Sequence, residues 1–233
     1  SSLRRTRSGR GHCRKSILGR DCTAELHYAV ETVVKDDVIT YGHNMNKTLD
    51  RCDLLITGGQ VIDGTGCPAI TADVALQGDR IIAVGDLTVE KADAVIDAQG
   101  KVITPGFIDV HTHDDRLLLA NPEVTPKLSQ GVTTVVVGNC GVSLSPWLSD
   151  RAPPPPLDLV FPDGKNGAHF STFESYSTEL ARRPAAINAL PLIGHSTLRC
   201  GVMDRLDRPA TQAEIEQMRT LLRESLAAGA GGF

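Results

Sequence analysis

An unbroken β-branched run, Thr133–Gly138 (TTVVVG), leaves this chain few architectures. Val and Thr are stiff at χ1 and fit a pleated surface. A strand with one wet face alternates apolar with polar residues, whereas a continuous run suits a parallel strand covered on both sides. Two further runs flank it: Val102–His113 (VITPGFIDVHTH) reads as a first strand and Ile187–Gly194 (INALPLIG) as a third. Helices fall between and after them. Ser171 and Glu174 have capping-box spacing, and Phe173, Tyr176 and Leu180 follow at helical spacing before Pro184. Thr211 and Glu214 repeat the device, with Ile215, Met218 and Leu222 as the apolar stripe and Gly229 as the stop. Strands alternating with capped helices predict an α/β unit with a parallel sheet over 102–233. The long connection after the second strand carries Pro153–Pro156, read as a stiff spacer or as the wall of a site.

The sequence before Val102 has a different texture. Short β-type runs at Asp53–Thr57, Gln60–Asp63, Asp73–Gln77, Arg80–Val84 and Ala94–Asp97 are separated by Gly-containing turns. They predict a small antiparallel sheet over 52–101. Residues 1–51 differ again and read as a disordered or misassigned leader. Residues 1–20 hold seven Arg/Lys and no acid, the composition of an organelle transit peptide, without the apolar core of a secretory signal. His12, Cys13, Cys22 and His27 fit no standard zinc-binding spacing.

Composition removes several function classes. Net charge is −4 and basic residues do not cluster beyond the N-terminus, so nothing favours nucleic acid. Apolar runs fall far short of the roughly 18 residues of a membrane span. The six cysteines, at 13, 22, 52, 67, 140 and 200, form no C-x-x-C pair and no disulfide framework. A reducing, cytoplasmic setting is the default, with organelle targeting by the leader as the alternative.

Chemistry concentrates at two places. The first strand ends in Asp109-Val110-His111-Thr112-His113-Asp114-Asp115. Residues two apart on a strand share a face, so Asp109, His111 and His113 would project together if the strand continues that far. Imidazole is the commonest zinc ligand, yet a bare H-x-H is more often two neighbouring surface histidines. The second strand ends in Gly138-Asn139-Cys140-Gly141. A lone Cys there is usually a small buried hydrophobe. If the strands are parallel neighbours, however, Cys140 and both histidines meet at the C-terminal rim, where α/β barrels place their chemistry. Thiolate is a soft zinc ligand, so His111, His113 and Cys140 form a candidate metal site. Asp114 and Asp115 read as orienters of a histidine or as caps of the next helix.

The segments GFIDVHTHDD (106–115), TPKLSQGVTTVVVGNCGVSLSP (125–146) and GHSTLR (194–199) closely resemble the N-acyl-D-amino-acid deacylases (D-aminoacylases) of the amidohydrolase superfamily. DLLITGGQVIDGTG (53–66) resembles the start of the small β-domain that flanks such barrels. The resemblance covers roughly residues 53–233. It implies an α/β fold: the N-terminal part of a TIM-like (β/α)8 metal-dependent hydrolase barrel, preceded by a small β-sheet domain. On this expectation, 52–101 is half of that domain and 102–233 the first three β/α units, with Phe233 opening a fourth strand and the chain truncated there. It also implies zinc (one or two ions) on His111, His113 and Cys140, with Cys140 replacing the carbamylated lysine of many relatives. His195 would line the substrate pocket, although a structural histidine is an equal reading. The family's further histidine ligands and catalytic aspartate come from later strands, so no catalytic residue is assigned here. The implied reaction is hydrolysis of a small N-acyl-D-amino acid to a carboxylate and a free D-amino acid. A non-catalytic remnant and an enzyme for cyclic amides such as hydantoins or dihydropyrimidines are the alternatives; the latter use lysine where GNCG stands.

Overall fold

A computed structural model describes residues 46–160 and 170–233. Most of the leader, including His12, Cys13, Cys22 and His27, lies outside the described residues. The chain divides into two compact units, one ending at Pro105 and one spanning Gly106–Phe233.

The first unit is a four-stranded sheet of β1 (Asn46–Val61), β2 (Ile70–Gln77), β3 (Arg80–Asp97) and β4 (Val102–Ile103), in the order β2-β3-β1-β4. β1 starts inside the segment expected to be leader. The sheet is mixed, not antiparallel throughout. β2 runs antiparallel to β1 and β3, but β1 pairs in parallel with both β3 and β4. Two successive reversals return β3 to the direction of β1, and both strands run unbroken through glycines that resemble turns. Gly58-Gly59, for example, is an irregularity within β1, between Ile56 and Gly59. Val61, Ala72 and Val74 form the buried core, with Ile56, Leu76, Val84 and Ile103 against it.

The expected single strand Val102–His113 is two strands. Val102–Ile103 pairs with Gln60–Val61 of the first unit, and β5 (Phe107–Asp109) belongs to the second. Thr104-Pro105-Gly106 separates them, and Pro105 has no N–H to give a ladder.

The second unit continues with α1 (Leu117–Ala120), α2 (Thr125–Leu128), β6 (Val132–Val137), α3 (Phe173–Arg182), β7 (Asn188–Pro191), α4 (His195–Val202) and α5 (Gln212–Ala227). Its strands are parallel in the order β5-β6-β7. An isolated parallel bridge joins Leu192 to Gly232. Val135 and Val137 are buried with Leu118, Val124 and Ile187 on one face of the sheet. On the other face Ile108, which pairs with Thr134, and Leu190, which pairs with Val136, stay exposed. Among the described residues the β-branched run is therefore sealed on one side only. A second core gathers Val142, Leu144, Trp147, Phe173, Tyr176 and Leu198, with Met218, Leu221 and Leu222 of α5 packed against it.

Both long helices start near the expected positions. The N-cap of α3 is Thr172, one residue later than Ser171, and its side chain accepts from Ser175 N. At α5 the Thr211–Glu214 capping box is complete. Arg208 and the Thr211 backbone together hold the Glu214 carboxyl down to about 2. Loss of this cap is expected to cost about 1 kcal/mol. Thr211→Ala should therefore lower the thermal unfolding midpoint, and Thr211→Ser should recover most of the loss.

Candidate metal centre

β5 stops at Asp109, so the two histidines sit in the loop beyond the strand rather than on it. Pairing with β6 nonetheless carries on past that end, because Thr112 N donates to Val136 O at 3.1 Å. The turn Asn139–Gly141 at the end of β6 lifts Cys140 to the same rim. His111 Nε2 lies 3.0 Å from Cys140 Sγ. The ligand atoms of His111, His113 and Cys140 all lie within 4.8 Å of one another.

Two glycines let the Cys140 turn lie close against the segment that follows β7. Gly138 has φ +84°, and a Cβ there would sit 2.2 Å from Leu192 O. A Cβ on Gly194 would sit 2.4 Å from Gly141 O. The GNCG turn and the start of GHSTLR thus meet backbone to backbone. Ser143 locks the contact: its Oγ accepts from Gly194 N at 2.9 Å, and its N donates to Thr197 Oγ1 at 2.9 Å.

The remaining polar residues fall elsewhere than expected. Asp109 does not share the histidines' cluster. Lys127 Nζ lies 2.5 Å from Asp109 Oδ2 and 3.2 Å from Asp114 Oδ2. That ammonium, helped by the His111 N–H, holds the Asp109 carboxyl below the usual carboxylate range. Asp115 neither orients a histidine nor caps a helix. It is buried, and its Oδ2 accepts from Gly138 N at 3.2 Å while Oδ1 accepts from Leu144 N at 3.4 Å. Tyr176 OH donates to Asp115 O at 2.8 Å. His195 is the first residue of α4, exposed, and lies outside the three-residue cluster. Its ring meets that of Phe233 edge-on at 5.8 Å. Lys127 and Tyr176 carried no sequence signal beyond an unremarkable charge and a helical apolar stripe. Gly138 and Ser143 were visible only within the quoted segments.

The cluster has the chemistry of a metal site. Two imidazoles and a thiolate are a borderline-soft donor set that suits zinc and leaves a fourth tetrahedral position open. His113 Nδ1 is buried without a hydrogen-bond partner among the described residues. A buried polar atom left unpaired is unfavourable, and a bound cation nearby would fix the tautomer and orientation of such a ring. A parallel α/β sheet carrying two His and one Cys together at its C-terminal rim is the arrangement of a candidate metal centre.

The comparisons carry this to a family. Residues 94–233 match the amidohydrolase family, and the chain belongs to it. It is 53% identical over 182 residues to N-acyl-D-aspartate deacylase of Alcaligenes xylosoxydans xylosoxydans, covering 78% of this chain and 36% of that one. A solved structure of D-aminoacylase, a protein with a binuclear metal centre, superposes with a TM-score of 0.72 at 51% identity. It covers 77% of this chain and 37% of its own. The N-acyl-D-glutamate deacylase of Bordetella bronchiseptica, solved with zinc and a phosphonate mimic of the tetrahedral intermediate, gives 0.74 at 40% identity, covering 79% and 38%. The chain thus spans little more than a third of the length of these relatives.

Burial pushes the Asp115 carboxyl up to about 6, outweighing the backbone N–H groups of Asp115 itself, Gly138 and Leu144 that favour its ionised form. The folded protein therefore holds that proton more tightly than the unfolded chain does. The stabilisation is fully present below the ordinary carboxyl value of 3.8 and is lost as pH rises through about 6. The displacement corresponds to roughly 3 kcal/mol. Denaturant titrations of the metal-free protein should show wild-type stability falling relative to Asp115→Asn between pH 4 and pH 7.5.

Proposed function

We propose that this chain is the N-terminal part of a zinc amidohydrolase that cleaves the amide bond of N-acyl-D-amino acids. Water and the acylated amino acid would give a carboxylate and a free D-amino acid. His111, His113 and Cys140 are the proposed ligands for one or two zinc ions, and His195 the proposed substrate-pocket residue. The observation that carries the reading is the convergence of those three ligand atoms within 4.8 Å on the rim of a parallel sheet. The unpaired His113 Nδ1 supports it, as does the likeness to an N-acyl-D-aspartate deacylase, a D-aminoacylase and an N-acyl-D-glutamate deacylase.

Zinc bound there would supply a Lewis acid for the amide carbonyl and a lowered pKa for water. The chain's own residues hold the donors in place. Lys127 neutralises the two carboxylates that bracket the histidines, so neither competes for the cluster. Gly138 and Gly194 let the Cys140 turn and the His195 helix close on each other. The open sheet face with Ile108 and Leu190 is the side that further strands of a TIM-like barrel would cover. The proposed setting is cytoplasmic, and among the described residues no helix is long and apolar enough to cross a membrane.

The chain should bind zinc in equilibrium dialysis, and Cys140→Ala and His111→Ala should each abolish that binding. Residues 53–233 alone should be silent on N-acetyl-D- and N-acetyl-L-amino acids. The proton-transferring aspartate of the family lies in a later strand, and such a group is worth about 10²–10⁴-fold. The same residues extended to the length of the relatives should hydrolyse the D-substrates selectively. Zinc binding unchanged in Cys140→Ala, or no D-selective turnover by the extended protein, would overturn the reading.

A further inference from the structure

The loop bearing the histidines and the turn bearing the cysteine come from different strands, yet the cluster needs them in fixed register. Side chains that bridge the two segments therefore matter more than those that merely line them. Asp115 stands two residues after His113, and its carboxylate reaches across to the other segment. One oxygen takes the N–H of Gly138, two residues before Cys140, and the other takes the N–H of Leu144, four residues after it. The carboxylate thus holds the entry and the exit of the Cys140 turn together at its base.

That turn needs holding. Cys140 adopts φ +56°, a left-handed conformation that persists in a non-glycine residue only when its surroundings over-determine it. Asp115 is itself fixed from α3, because the buried Tyr176 hydroxyl donates to its backbone oxygen. The histidine loop is pinned separately by Lys127, which reaches Asp109 before the histidines and Asp114 after them.

We propose that Asp115 is a positioning residue of the metal centre, its carboxylate setting the spacing between the His111/His113 loop and the Cys140 turn. This rests on the metal-centre reading above and assigns a residue that touches neither metal nor substrate. Both oxygens must accept, so an amide of the same shape is not equivalent. In Asp115→Asn the amide nitrogen would face a backbone N–H.

Cobalt(II), titrated into the full chain, tests this directly. A thiolate-to-cobalt charge-transfer band reports ligation by Cys140 without reference to activity. Asp115→Asn is expected to lower cobalt affinity about 10–100-fold and to weaken the band per bound ion. Tyr176→Phe should move both in the same direction by less. Leu198→Ala, which removes core volume from α4, should lower the unfolding midpoint but leave affinity and band unchanged. Affinity within about two-fold of wild type in both Asp115→Asn and Tyr176→Phe would overturn the proposal. So would loss of cobalt by Leu198→Ala in step with its midpoint. If Asp115→Asn does not fold, Tyr176→Phe compared with Leu198→Ala decides alone. A wild-type chain without the band, or a Cys140→Ala chain that keeps it, overturns the metal-centre reading itself.

Discussion

The parallel pairing of β5, β6 and β7 is the constraint from which the rest of the second unit follows. Parallel strands end on the same side, so whatever follows β5 and β6 in sequence must share one rim. Val135 and Val137 fix which face of β6 turns inward, packing on Leu118, Val124 and Ile187. A slip of one residue would expose both valines and carry the Cys140 turn away from the histidines. Apolar packing on one side of the sheet thus sets the geometry of polar groups at its end.

Around that rim, charge is handled in two ways. Asp109 and Asp114 are partly exposed and share the ammonium of Lys127, which leaves their ionised forms compensated. Asp115 is deeply buried, its carboxylate meeting backbone N–H dipoles and its own carbonyl a tyrosine hydroxyl. Its carboxyl consequently rises while that of Asp109 falls. The seven residues 109–115 hold opposite electrostatic environments, one built by a cation and the other by burial.

Much of this was readable from the sequence, and what was not had identifiable causes. The parallel α/β pattern and the α5 capping box follow from local spacing, and a shared rim for His111, His113 and Cys140 follows once their strands are parallel neighbours. Strand continuity did not. Pro105 splits what looks like one apolar run into strands of two different units, and Gly58-Gly59 bends β1 without ending it. The β1–β3 parallel pairing is non-local and left no trace in either segment. Asp109 was placed with the histidines by strand alternation, but the strand ends at that residue and Lys127, 18 positions later, claims the carboxylate. The bridging role of Asp115 depends on N–H groups 23 and 29 residues away, which no local motif reveals.

The left-handed backbone at Cys140 has a consequence for how this position can change over evolutionary time. Glycine, asparagine and aspartate enter that region of conformational space more readily than other residues. Sulfur therefore sits there against the preference of the main chain, in a seat that those three residues would occupy with less strain. Of the residues the seat favours, glycine offers no side-chain donor and asparagine a neutral amide, while aspartate offers a charged oxygen that is harder than sulfur but still accepted by zinc. Relief of the backbone strain at this site would thus remove the soft donor, whichever of the three residues took its place.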